Sequence, residues 1–244
     1  MGSDLKRLAA PFLRLERLAS WLHRVANSVR RNPPRKTLEN IASALEDARF
    51  EWTYGIETAR HEQLKDMHIS GVNKSLGRHY EPVRVRAFRK LMRHLRLPSN
   101  LVFIDIGSGK GRALIAAAEF PFRRVIGVEF SAELCSTSER NIAAAQRQKL
   151  KCTNIEVVHA DAAEYHIPSD ASVFFFFNPV KRPLMERILK NIQDSLEREP
   201  RRIWIIIDNP QELAPAVEYI FGNFNWAGEY TYGSAKFWVW SNGH

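Results

Sequence analysis

A short apolar run, Leu101 to Ile106, enters the turn Gly107-Ser108-Gly109-Lys110-Gly111, and the chain leaves it as an alanine-rich segment reaching Phe120. Few arrangements satisfy that pattern. The run is apolar at nearly every position, which suits a strand buried on both faces. Glycines let the backbone turn tightly and approach a ligand closely. The helix that follows then points its unpaired N–H groups at the ligand's polar end. A strand, a glycine turn and a helix in that order open an α/β sheet.

The rest of the chain continues the alternation. Strands are expected at Arg124 to Glu129, Ile155 to His159, Ser172 to Phe177 and Ile203 to Ile207. Helices are expected between them at Ala132 to Leu150 and Pro183 to Leu196, and after the last at Glu212 to Phe221. The ending differs. Phe224 to Tyr230 and Lys236 to Trp240 stand too close for a crossover helix, so they should form an antiparallel hairpin around Gly233-Ser234. The expected fold is α/β: a doubly wound, mostly parallel seven-stranded Rossmann-like sheet, closed by that hairpin and preceded by an N-terminal helical extension.

Residues 1–80 read as that extension and 81–244 as the sheet domain. Leu5, Leu8, Phe12, Leu15, Leu18, Leu22, Val25 and Val29 form one apolar stripe at helical spacing, ended by Asn32-Pro33-Pro34. A short helix is expected at Leu38 to Ala48. Residues 50–80 lack a period and read as a long ordered loop containing Trp52-Thr53-Tyr54-Gly55. A basic helix from Pro82 to Arg96 leads into the first strand.

Charge divides the same way. Residues 1–100 carry a net +10 and residues 101–244 a net −1, so any attraction to an anionic surface belongs to the N-terminal part. Its basic helix can pack its leucine face on the sheet domain, lie on a membrane surface, or contact nucleic acid. The last is the least supported, because no aromatic interleaving accompanies the arginines. Two cysteines, Cys135 and Cys152, suit a reducing compartment, so a cytoplasmic protein is expected, with peripheral membrane contact left open. No apolar run approaches the roughly 18 residues a membrane span needs. The scattered histidines show no metal-ligand spacing, so no metal is expected.

Several acids stand where a ligand would lie. Asp105, at the end of the first strand, can accept bonds from the turn or from an ammonium group. Glu129 ends the second strand, where an acid holds ribose hydroxyls in such folds. Asp161-Ala162 follows the third strand, suitably placed for an adenine edge. A dinucleotide-binding dehydrogenase fits less well, because the third glycine comes two residues after the second and the closing strands are antiparallel.

With these residues in view, the chain resembles the class I, seven-stranded S-adenosylmethionine methyltransferases from roughly Tyr80 to Trp240. The motifs are Asp-Ile-Gly-Ser-Gly-Lys-Gly-Arg from Asp105, Val-Ile-Gly-Val-Glu-Phe-Ser from Val125, and Phe-Phe-Asn-Pro from Phe176. They are similar to those of bacterial proteins likened to the non-SET lysine methyltransferases. Animal mitochondrial lysine methyltransferases of the same fold have a similar Gly-Ser-Gly-x-Gly-Arg turn. The resemblance implies an enzyme using S-adenosyl-L-methionine, with Asp105, Gly107, Ser108, Gly109, Gly111, Glu129, Asp161 and Ala162 at the cofactor.

Asn178 ends the fourth strand, beside the expected switch point between strands one and four. Amine methyltransferases place Asn-Pro-Pro-Tyr or Asp-Pro-Pro-Tyr there. This chain has Asn178-Pro179-Val180-Lys181, which keeps only the first half and weakens a nucleobase acceptor. Asp208, ending the fifth strand, is a candidate proton acceptor, or a helix cap before Gln211. Tyr80 is a candidate to stack near the sulfonium, and Glu81 to bind the amino-acid end of the cofactor or an acceptor amine. Tyr54 and Gly55 are further candidates in the same loop. Lys110 and Arg112 either approach the cofactor carboxylate or form a solvated first turn. The acceptor stays open between an amine such as a protein lysine, a small molecule methylated on N or O, and no acceptor at all in a non-catalytic cofactor-binding module. The number of methyl groups and the oligomeric state are not legible.

Overall fold

The computed structural model describes residues 34–59, 80–178, 181–210, 216–217, 220, 222 and 224–243. The expected helix at Leu5 to Val29, residues 60–79 and Pro179-Val180 lie outside the described residues, as does most of the helix expected at Glu212 to Phe221. The chain divides into two compact units, Met1–Arg49 and Phe50–His244.

Helix α1 spans Pro34–Tyr54, and its last turn, Phe50–Tyr54, belongs to the second unit. Pro34 is the first residue of this helix, as the fixed φ of proline allows at a first helical position. Trp52-Thr53-Tyr54 is therefore helical and not part of a loop. The helix ends where Gly55 adopts a φ of 67°. Packing overrode the weak period here: Phe50 and Tyr54 are buried one helical turn apart, edge to face at 5.0 Å.

From there the order is α2 (Val85–Leu95), β1 (Val102–Ile106), α3 (Arg112–Ala117), β2 (Arg124–Glu129), α4 (Ala132–Ala145), β3 (Ile155–His159), β4 (Ala171–Phe177), α5 (Arg182–Arg198), β5 (Trp204–Asp208), β6 (Asn225–Tyr232) and β7 (Ala235–Ser241). The sheet has seven strands in the order β3-β2-β1-β4-β5-β7-β6. All pairs are parallel except β5 with β7 and β7 with β6. The closing hairpin thus inserts its second strand beside β5 and leaves β6 at the edge. The strand order reverses between β1 and β4, which makes their carboxyl ends the switch point of the sheet.

Alternation along the strands divides the core. Phe103, Val125, Val173, Phe175 and Ile206 face one side, where α2 and α3 pack; Phe88 of α2 meets Phe103 and Phe175 edge to face at 6.0 and 5.2 Å. Ile104, Ile126, Phe174, Phe176 and Ile207 face the other, against Met185, Ile188 and Leu189 of α5. The two-residue period then puts Asp105, Glu129 and Asp208 on the first side, each at the carboxyl end of its strand. Among the described residues no helix is long and apolar enough to cross a membrane.

Candidate active site

The glycine turn is left-handed at Gly107, Gly109 and Gly111, with φ of 81°, 54° and 80°. Gly109 is bare because the Tyr80 ring lies against it: a Cβ there would overlap that ring. A Cβ on Gly107 would meet nothing within 4 Å, so the open side of the cradle is at Gly107. The turn is anchored to β2. Gly107 N–H and Ser108 N–H donate to Val128 O at 2.8 and 3.2 Å. Gly109 N–H donates to Glu129 Oε2 at 2.8 Å, while Ser131 N–H donates to Oε1 at 2.9 Å. Each carboxylate oxygen has a second lone pair, so Glu129 can shape the turn and still accept from a ligand hydroxyl.

Asp105 and Glu129 are both buried, near the carboxyl ends of the paired strands β1 and β2. Burial, with the Glu129 charge adding to it, pushes the Asp105 carboxyl up to about 8. Burial also raises Glu129, opposed by the backbone donors of Ser131 and Gly109. Two acids held this close, short of water, favour a cation or a set of hydroxyl donors beside them. That is the chemistry an ammonium and a ribose present, so these residues fit S-adenosylmethionine. Asp161, in the turn after β3, accepts from Ala163 N–H at 2.9 Å through Oδ1 and is partly buried. Ala162 follows it, its carbonyl accepting from Asn191 Nδ2 at 3.4 Å.

At the other side of the switch point, β4 and β5 both end on Asn-Pro. Asn178 and Asn209 both take left-handed backbone, with φ of 45° and 60°, a conformation that asparagine tolerates better than most side chains. Asn178 N–H donates to Asp208 O at 3.2 Å, so the two strand ends are tied. Asn178 Nδ2 donates to Glu81 Oε2 at 3.1 Å. This contact directs the amide nitrogen to Glu81 and the amide oxygen away from it.

Asp208 is 1% exposed, and neither carboxylate oxygen has a hydrogen-bond partner among the described residues. Burial pushes its carboxyl up to about 7, with the Arg84 charge and then the nearby Asn209 N–H, too poorly aligned for a hydrogen bond, pulling the other way. Asn209 N–H donates to Lys236 O at 2.8 Å, and the helix start that Asp208 was expected to cap lies outside the described residues. A buried acid without partners is costly unless it is neutral or receives something.

Tyr80 donates from Oη to Thr58 O at 2.7 Å, and Lys110 Nζ lies 5.1 Å from its ring centroid. Lys110 and Arg112 are buried, so the solvated first turn is excluded. Arg112 turns to Val83 and Thr58, and Glu51 joins it there. Tyr54 lies apart, donating from Oη to Glu119 Oε1 at 2.9 Å, and Gly55 only ends the helix. Thr58 and Glu51 were not legible as site residues. One signal was present: a lone arginine opening the run Ala113-Leu114-Ile115-Ala116-Ala117 has no polar face to occupy.

Residues 103–199 match the protein family described as a methyltransferase domain. Comparison with the curated proteins finds no match. Among solved structures, the chain is similar to a SAM-dependent methyltransferase from Aquifex aeolicus, 12% identical over 62% of this chain and 87% of that one, with a TM-score of 0.51. It is similar to the PH0226 protein from Pyrococcus horikoshii OT3, 14% identical over 64% and 88%, with a TM-score of 0.51. An RNA methyltransferase from Salinibacter ruber in complex with S-adenosyl-L-homocysteine is 18% identical over 66% and 92%, with a TM-score of 0.48. The Aquifex and Pyrococcus likenesses are likenesses of fold.

Proposed function

We propose that the chain is an S-adenosylmethionine-dependent methyltransferase, a reading supported by the methyltransferase-domain match over residues 103–199, and that it methylates an amine, with a protein lysine as the leading acceptor. The observation that supports this reading is the buried, unpartnered Asp208 beside the Asn178–Glu81 pair at the switch point. S-adenosylmethionine supplies a methyl on sulfonium that is already activated for transfer.

In this reading Glu129 takes the ribose hydroxyls and Asp105 the ammonium of the cofactor. Gly107, Ser108, Gly109 and Gly111 form its cradle, Asp161 and Ala162 face the adenine, and Tyr80 and Glu81 cover the methionine end. Asn178 Oδ1 accepts a hydrogen bond from the acceptor N–H and so aims the nitrogen lone pair. Glu81 keeps the amide from flipping. Asp208 draws a proton from the amine. A lysine must be neutral to attack, and burial of its ammonium lowers its pKa toward that state. Alignment of nucleophile and methyl contributes the remainder of the rate. The enzyme does its work by binding, orienting and moving one proton.

The test uses tritiated methyl transfer from labelled S-adenosylmethionine to cell extract, fractionated by size. Label in the protein fraction supports the lysine reading. Label confined to small molecules moves the enzyme to specialised metabolism. Cofactor binding without any transfer would make it a non-catalytic binding module.

A further inference from the structure

Arg112 is the first residue of α3, directly after the glycine turn, and it is 2% exposed. An arginine this deeply buried must find partners for its fork of donors. Nε donates to Val83 O at 2.9 Å and one terminal nitrogen donates to Thr58 Oγ1 at 2.6 Å. Its charge lies 3.9 Å from Glu51 Oε1, and its guanidinium carbon is 5.1 Å from the Phe50 ring centroid. The two hydrogen bonds reach two segments far apart in sequence. One segment follows α1 and the other precedes α2.

Thr58 is the meeting point. It is fully buried, and each of its polar groups has a partner. Its N–H donates to Glu51 Oε1 at 2.5 Å, its Oγ1 accepts from Arg112, and its carbonyl accepts from Tyr80 Oη at 2.7 Å. Glu51 Oε1 also accepts from Ala59 N–H at 2.5 Å. The planar fork of Arg112 therefore fixes Thr58, which fixes Tyr80 against Gly109. It also fixes Val83, two residues from Glu81, which holds Asn178.

We propose that Arg112 is a positioning residue: it pins residues 56–59 and 80–83 to the glycine turn, and so presents Tyr80 and Glu81 to the cofactor and acceptor. The role of those two residues rests on the reading above; the pinning does not. In this proposal Arg112 acts through Tyr80 and Glu81 and not on the reacting atoms. Lysine cannot replace it, because an ammonium on a flexible stem does not serve two fixed directions at once. A displacement of about 1 Å in aligned groups can lower a rate by about 100-fold.

The test compares wild type with Arg112→Lys, Arg112→Gln and Thr58→Val. Hydrogen-exchange mass spectrometry of the full chain, without cofactor, is the first readout. The account expects residues 56–59 and 80–84 to lose protection in Arg112→Gln while β1, β4 and β5 keep theirs. Arg112→Lys should fall between Gln and wild type. Thr58→Val, which removes only the hydroxyl, should expose both segments more mildly, and it keeps the test alive if Arg112→Gln does not fold. The second readout is binding of S-adenosylmethionine and kcat. With Arg112→Lys, kcat should fall on the order of tenfold to 100-fold, with a smaller loss in affinity. Unchanged protection in both segments with a folded Arg112→Gln or Thr58→Val would overturn the proposal. So would an equal loss of protection across the sheet strands, which would mean general stability. Lost protection with no transfer in wild type would leave the pinning intact and remove the proposed function instead.

Discussion

Asn178 Nδ2 donates to Glu81 Oε2 at 3.1 Å across 97 residues of sequence, tying the end of β4 to the segment that leads into α2. The bond joins a strand-end amide to an acid that no strand carries. It sets which end of the amide is turned away from Glu81. Replacing Asn178 with alanine should lower kcat on the order of 100-fold, while calorimetry finds S-adenosylmethionine affinity within a few fold of wild type. Transfer at the wild-type rate in that variant would remove Asn178 from the reaction.

Asp208 sets a pH dependence. Its carboxyl is pushed up to about 7 by burial, so it is protonated below that value and ionised above it. If it draws the proton from the amine, kcat should rise through about pH 7 to a plateau. Asp208→Asn should be slow at every pH and should lose that inflection. A wild-type profile flat from pH 6 to 8.5 would contradict the role.

The same burial leaves a mark on stability. Asp105 and Asp208 have folded-state pKa values of about 8 and about 7, each above the ordinary carboxylate value of 3.8. Their contribution is fully present below about pH 4, where both states are protonated, and is lost as pH rises through the folded values. Asp208→Asn never ionises. Thermal melts of the cofactor-free protein should therefore show the variant gaining on wild type between pH 5 and pH 8. A constant gap between the two across that range would mean that Asp208 is not held in its neutral form.

Glu129 both shapes the turn and faces the proposed ribose. Glu129→Ala removes the acceptor for Gly109 N–H and Ser131 N–H. Leaving such groups unpaired costs about 1–3 kcal/mol each, and the hydroxyl contacts are lost as well. Calorimetry should show S-adenosylmethionine binding weakened by at least about 100-fold. Undiminished affinity would place the cofactor elsewhere.

The sheet was legible because its strands are uniform apolar runs of a length only strands use, and β2 and β3 begin and end at the expected residues. The final hairpin was legible because two residues cannot span a crossover. The loop expected at 50–80 was partly misread: Phe50 to Tyr54 extend α1, since Phe50 and Tyr54 find buried partners that sequence period does not reveal. Asp105, Glu129, Asn178 and Asp208 were readable as candidates because each stands at or next to the carboxyl end of a strand. Glu51 and Thr58 were not, because their importance comes from Arg112, which lies more than 50 residues from either. Burial of that arginine is a tertiary fact, hinted at only by the apolar residues that follow it.

The central claim is that the acceptor atom is an amine nitrogen. Labelled protein from the transfer assay should be hydrolysed completely in acid and its amino acids separated. The account predicts radioactivity eluting with ε-N-methylated lysine. Radioactivity released as methanol by mild base, which marks a methyl ester on oxygen, with none at the methyl-lysine position, would contradict it.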